Sequence, residues 1–102
     1  MKDYTQEEVL KSLLNIKKKS RKRELVDKRS YLISILAFKF NLTEYEIADL
    51  TGFNRNTVHY NKNLPVRLHK DFQYMENVYS LAQKYPFDHS EIVIKEYNYY
   101  KI

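Results

Sequence analysis

Apolar residues recur at helical spacing along most of the first 86 positions of the chain. A capping box at Thr5 precedes the first apolar stripe, which predicts a helix over about 6–17. The stretch 25–40 is mostly apolar, and a helix that is apolar over so much of its circumference is usually the central one. Asp71 is a good N-cap for a last helix that ends before Pro86. The pattern therefore favours a small helical domain.

Two shorter helices with a tight turn between them are predicted in the middle of the chain. Thr43-Glu-Tyr-Glu46 is a second capping box and begins the first of these helices. Gly52 ends it, because glycine accepts the left-handed conformation that a helix end requires. Asn54 is a good N-cap for the next helix, which is expected to run from Arg55 to about Asn63. Pro65 limits that helix, because a proline disfavours helical geometry at the residue before it.

The segment 43–63 is typical of a helix-turn-helix. Ala48 is small where the two helices would cross closely, and Val58 belongs to their shared core. With Val58 turned inward, polar residues of the second helix turn outward, where side chains at its N-terminal end normally reach base edges in the major groove. Arginine suits guanine and asparagine suits adenine, because each forms two matched hydrogen bonds. An αα-corner that binds no DNA is the alternative. The candidate DNA-contacting residues of this helix are Asn54, Arg55, Asn56, Thr57, His59, Tyr60 and Lys62.

Charge adds a second group of candidate contacts to this picture. The chain has 18 basic and 13 acidic residues and a net charge of +5, which suits a polyanionic partner. Eight of the basic residues lie between Lys17 and Arg29, directly before the predicted helix-turn-helix. Such a run is either a solvated loop or an extension of a phosphate-binding surface, and its position favours the second interpretation. The candidate backbone contacts are Lys19, Arg21, Lys22, Arg23, Lys28 and Arg29, together with Thr43.

The C-terminal segment 87–102 has a different composition from the helical domain, 1–86. It contains the β-branched run Ile92–Ile94 and the tyrosines Tyr97, Tyr99 and Tyr100, which favour a strand. A short helix capped by Ser90 is the alternative. An aromatic tail of this kind can stack on single-stranded bases, fold back on its own domain, or join two copies as a homodimer. Fold-back and self-association are the preferred interpretations.

Several structural and functional classes are disfavoured by the composition. One glycine and two prolines are too few for the many tight turns of an all-β protein, so the expected fold is all-α with about five helices. The absence of cysteine removes disulfides and thiolate sites and makes the cytoplasm the expected compartment. No apolar run approaches the ~20 residues of a membrane span. We expect no metal, no cofactor and no enzymatic activity, because neither a ligand cluster, a nucleophile nor a phosphate loop stands out.

The stretch from Ser20 to Leu64 resembles the C-terminal DNA-binding domain of the bacterial replication initiator DnaA, whose helix-turn-helix is similar to that of the Trp repressor. The matching features are a basic loop at Arg21–Arg23, Arg29 in the long helix, the turn motif Thr43–Ala48 and the pair Thr57-Val58. The resemblance implies that the basic loop enters a minor groove while the recognition helix lies in the adjacent major groove. It also implies that Arg23 is the minor-groove residue and that Arg29 contacts the DNA backbone.

The resemblance implies the mode of binding but not the DNA sequence that is recognised. Where that family has an Asp-His-Thr-Thr signature, this chain has Asn54-Arg55-Asn56-Thr57. The leading hypothesis is therefore a sequence-specific binder of double-stranded DNA that acts in transcription or replication control. The alternatives are a protein-interaction module that uses the same helical surface and a binder of RNA or single strands.

Overall fold

The computed structural model describes residues 3–16, 22–90 and 92, and these residues form an all-α domain. Five helices and no strand lie within that part of the chain. The helices are α1 (Gln6–Ile16), α2 (Arg23–Phe38), α3 (Glu44–Thr51), α4 (Arg55–Leu68) and α5 (Phe72–Lys84). None of these helices combines the length and apolar character that a membrane span needs. The predicted fold class is confirmed.

The helix α2 lies at the centre of the domain and contacts each of the other four helices, most extensively α4. Every residue from Ser30 to Ala37 is buried, as the apolar pattern of this stretch predicted. Because α2 is covered on so many sides, the other helices share one core around it. The buried apolar residues of that core include Val9, Leu13, Leu32, Ile33, Ile35, Leu36, Ile47, Val58, Tyr74 and Val78.

Buried polar groups orient α4 and α5 on this central helix. The Ser30 hydroxyl of α2 donates to Oδ1 of Asn61 at 2.6 Å, and Nδ2 of Asn61 donates to the Thr57 carbonyl at 2.8 Å. On another side of α2, Nδ2 of Asn77 donates to Oδ2 of the buried Asp27 at 2.8 Å. Since an unpaired buried polar group costs about 1–3 kcal/mol, these bonds hold α4 and α5 in one register against α2.

The predicted helix boundaries hold for α3 and for the start of α4. The Thr43 hydroxyl accepts from the amide of Glu46 at 3.1 Å, and the Glu46 carboxylate accepts from the amide of Thr43 at 3.1 Å, which completes the capping box. Gly52 follows α3 with a φ of 80°, in the left-handed region that favours glycine. The side chain of Asn54 accepts from the amide of Thr57 at 2.8 Å and caps α4. Residues 52–54 therefore form the expected tight turn.

The predicted end of α4 near Asn63 is wrong, because the helix continues through Pro65 to Leu68. Pro65 is buried together with Val58 and Asn61, and these three residues share one face of α4. A proline inside a helix lacks the amide that would bind the carbonyl four residues earlier. Here the packing of that face in the core outweighs the loss of one hydrogen bond.

The predicted strand at Ile92–Ile94 is wrong at Ile92, which is helical along with Ser90. Asp88 opens this turn, since its side chain accepts from the amide of Ser90 at 2.9 Å, and the amide of Ile92 donates to the His89 carbonyl at 3.1 Å. The alternative prediction of a short helix therefore fits Ser90 and Ile92. The side chain that caps this helix belongs to Asp88 and not, as predicted, to Ser90. The remainder of the tail, including its tyrosines, lies outside the described residues.

Candidate nucleic-acid interface

The first turns of α4 present a polar face on the outside of the domain. Val58 is fully buried, whereas Arg55, Asn56, His59 and Tyr60 are exposed around it. Successive residues of a helix point about 100° apart, so burial of Val58 turns Asn56, His59 and Tyr60 towards solvent. Arg55 is exposed as the first residue of the helix. Two further candidate residues have other roles: Asn54 caps the helix, and the Thr57 carbonyl accepts from Asn61.

Arg55 lies against a tyrosine that the sequence did not mark as part of the site. Nη1 of Arg55 donates to the hydroxyl of Tyr45 in α3 at 2.6 Å, and its Cζ lies 4.8 Å from the centre of the Tyr45 ring. An aromatic face attracts a guanidinium and limits its conformations, which leaves its remaining N–H groups in defined directions. Tyr45 is about 200° around α3 from the buried Ile47, and this exposed position of an aromatic residue is the signal that could have identified it.

Glu44 places a negative charge between His59 and Lys62, two candidate residues of the interface. Its Oε2 lies 2.7 Å from Nδ1 of His59 and 2.8 Å from Nζ of Lys62. The hydrogen bond from Lys62, followed by that from His59, holds the pKa of Glu44 below its usual range. The carboxylate is therefore charged at neutral pH and competes with any anion for these two side chains. Nothing in the linear sequence indicates this contact, because the partners are on different helices.

The basic residues before and within α2 are partly paired with carboxylates. Nη2 of Arg23 lies 2.9 Å from Oδ1 of Asp71 and its Nε lies 3.4 Å from Oδ2 of Asp27. Lys28 pairs with Glu24 at 3.0 Å. Lys22 is exposed directly before α2, while Lys19 and Arg21 lie outside the described residues. A phosphate that binds Arg23 or Lys28 therefore replaces a carboxylate.

Arg29 connects the basic segment to the turn between α3 and α4. Its Cζ lies 5.9 Å from the ring centre of Phe53, which is in that turn. Nε of Arg29 is buried and has no hydrogen-bond partner within the described part of the chain. Thr43 is bound within the α3 capping box, so its hydroxyl is engaged by the helix start. The structure thus brings Arg29 close to the turn, whereas Arg23 and Lys28 pair with neighbouring acids on α2 and at the start of α5.

The side chains of this face can bind a partner through charge and hydrogen bonds. Residues 3–16, 22–90 and 92 contain no group of three or more histidine or acidic side chains that could hold a metal ion. Comparison of the chain with protein-family models, with curated proteins and with solved structures finds no match. The assignment of the face therefore depends on its geometry and its residue types.

Proposed function

We propose that this protein binds double-stranded DNA in a sequence-specific manner, with the first turns of α4 in the major groove. The observation that carries the proposal is the exposed trio Arg55, Asn56 and His59 at the start of α4, a helix that Val58 packs against the core. Arginine and asparagine are the side chains that pair with guanine and adenine through two hydrogen bonds each. Tyr45 supports this role by stacking on Arg55.

The surrounding charges supply the contacts to phosphate in this proposal. The net charge of +5 and the basic residues next to the α3–α4 turn favour a polyanion over a neutral partner. The resemblance to the DNA-binding domain of DnaA supports this orientation, because it implies that the basic loop Arg21–Arg23 enters the minor groove next to the recognition helix. We place the activity in transcription or replication control in the cytoplasm, with the DNA sequence determined by Arg55 and Asn56.

Selection of duplexes from a random pool, followed by fluorescence anisotropy with the selected duplex, tests the proposal. Arg55→Ala should lose about 1–3 kcal/mol of binding free energy on the selected duplex and much less on a scrambled one. Arg67→Ala is the matched control, since Arg67 is an exposed arginine further along α4, about 18 Å from Arg55 along the helix axis. If Arg55→Ala binds every duplex as the native protein does, the assignment of the reading face is wrong.

The same assay distinguishes the other candidate functions. Binding of DNA releases counterions, so affinity should fall steeply between 50 and 200 mM salt. Binding to a protein partner that survives this change in salt would favour a protein-interaction module. Displacement of the duplex by single-stranded DNA or by RNA would indicate that the protein is a binder of RNA or single strands.

A further inference from the structure

The helix α5 carries an apolar stripe that faces away from the core. Phe72, Met75 and Tyr79 are 80%, 48% and 65% exposed and lie on one side of the helix. Together with Glu76 they line a shallow groove of about 380 Å³. Single exposed apolar residues are common, but three large ones in a row on one helix mark a binding surface.

Residues 87–90, the beginning of the C-terminal segment, run along the adjoining face of α5. Phe87, His89 and Ser90 line a cavity of about 230 Å³ whose other wall includes Met75, Val78 and Ala82. Met75 therefore borders both this cavity and the exposed groove. His89 fixes the segment to α2, because its Nε2 lies 2.7 Å from Oγ of Ser34. Residues 87–90 thus lie next to Met75, which is part of the stripe.

We propose that residues 93–102 of the same chain bind in this groove and cover the stripe. The sequence Val-Ile-Lys-Glu-Tyr-Asn-Tyr-Tyr-Lys-Ile supplies apolar and aromatic side chains to match the stripe, and Lys95 and Lys101 complement Glu76. The stripe from Phe72 to Tyr79 is about 10 Å long. Ten residues span up to about 33 Å, so the segment can reach its whole length.

The size of the stripe favours this occupant over a second copy of the protein. Large side chains bury about 150–250 Å² each, so at the observed exposures the stripe offers on the order of 400 Å². A stable dimer buries about 800 Å² on each partner. A tethered segment needs less area, because the covalent connection gives it a local concentration in the millimolar range. This proposal is independent of the proposed DNA binding.

Paramagnetic broadening of the Met75 methyl signal tests the proposal in the full chain. The protein has two methionines and no cysteine, so a methyl-labelled sample gives two methionine signals and Asn98→Cys gives one attachment point for a nitroxide. Met75→Leu assigns the signals. We expect the Met75 signal to be broadened in the spin-labelled chain. The broadening should be lost when Phe72→Ser and Tyr79→Ser are combined, and both residues are exposed enough to be replaced without unfolding α5.

Two controls make the result decisive. Tyr60→Ser removes an exposed aromatic residue from α4 and should leave the broadening unchanged. In the second control, native protein with labelled methyl groups is mixed with protein that carries the nitroxide but no methyl labels. The Met75 signal should not be broadened in this mixture. Broadening in the mixture would show that the tail of a second copy occupies the groove and would overturn the proposal. Absence of broadening in the single chain, or broadening that persists in the double variant, would also overturn it.

Discussion

Glu44 offers a direct test of the proposed DNA interface, because its carboxylate contacts both His59 and Lys62. Glu44→Gln keeps the shape of the side chain and removes its charge, which frees Lys62 to bind a phosphate. Each additional phosphate contact steepens the dependence of log K on log[salt] by about 0.9, which is a roughly 3.5-fold difference between 200 and 50 mM salt. The variant should therefore bind the selected duplex more tightly, with the largest gain at low salt.

The stability of the variant should change in the opposite direction. Glu44 is the first residue of α3, where a negative charge is favoured by about 0.3–1 kcal/mol, and its ion pairs add less than about 1 kcal/mol. Glu44→Gln should thus have a slightly lower Tm but a higher affinity for the selected duplex.

Fluorescence anisotropy at three salt concentrations and thermal unfolding measure the two effects. Asp49→Asn is the matched control, since Asp49 is an exposed acid on the same helix and its replacement changes the net charge equally. If Asp49→Asn tightens binding as much as Glu44→Gln does, the gain is due to overall charge. If Glu44→Gln weakens binding, Glu44 itself contacts the DNA and the reasoning is refuted.

Two further predictions concern stability. Burial lowers the pKa of His89 from 6.5 to about 4, so the unfolded chain binds a proton at pH values where the folded protein does not. Stability should fall by about 2 kcal/mol from pH 7 to pH 5, as measured by urea unfolding. His89→Gln should flatten the profile, and an unchanged slope would assign the titration to another group. Gly52→Ala should cost about 1–2 kcal/mol because of its positive φ, whereas Gly52→Asn should cost less, and equal Tm values for the two variants would contradict this.

Local features of the fold could be predicted from the sequence. The Thr43 capping box, the Gly52 turn and the caps at Asn54 and Asp71 each depend on residues no more than four positions apart. The continuation of α4 through Pro65 could not be predicted, because it depends on how the face that contains Val58, Asn61 and Pro65 packs in the core. The sequence contains the proline but not the contacts that offset its cost.

At the candidate site, too, features set by neighbouring residues could be predicted, whereas contacts between residues far apart in the sequence could not. The exposure of Asn56 and His59 was predictable, since their helical phase sets it once Val58 is buried. Arg55 lies three positions before Val58 and is exposed because it is the first residue of α4. The contacts of Arg23 with Asp71 and of Glu44 with Lys62 join residues 48 and 18 positions apart. Basic residues that look free in the sequence are therefore partly paired in the folded chain.

The residues that pack α4 into the domain differ from the residues that α4 exposes to solvent. This difference determines which positions of the helix can be substituted. Val58, Asn61 and Pro65 hold the helix in the domain, and none of them is among the exposed residues of its first turns. Positions such as Asn56 and Tyr60 are thus open to wide substitution with little effect on folding. Under the proposed function, a library randomised at these exposed positions should yield folded proteins that bind other DNA sequences, without redesign of the core.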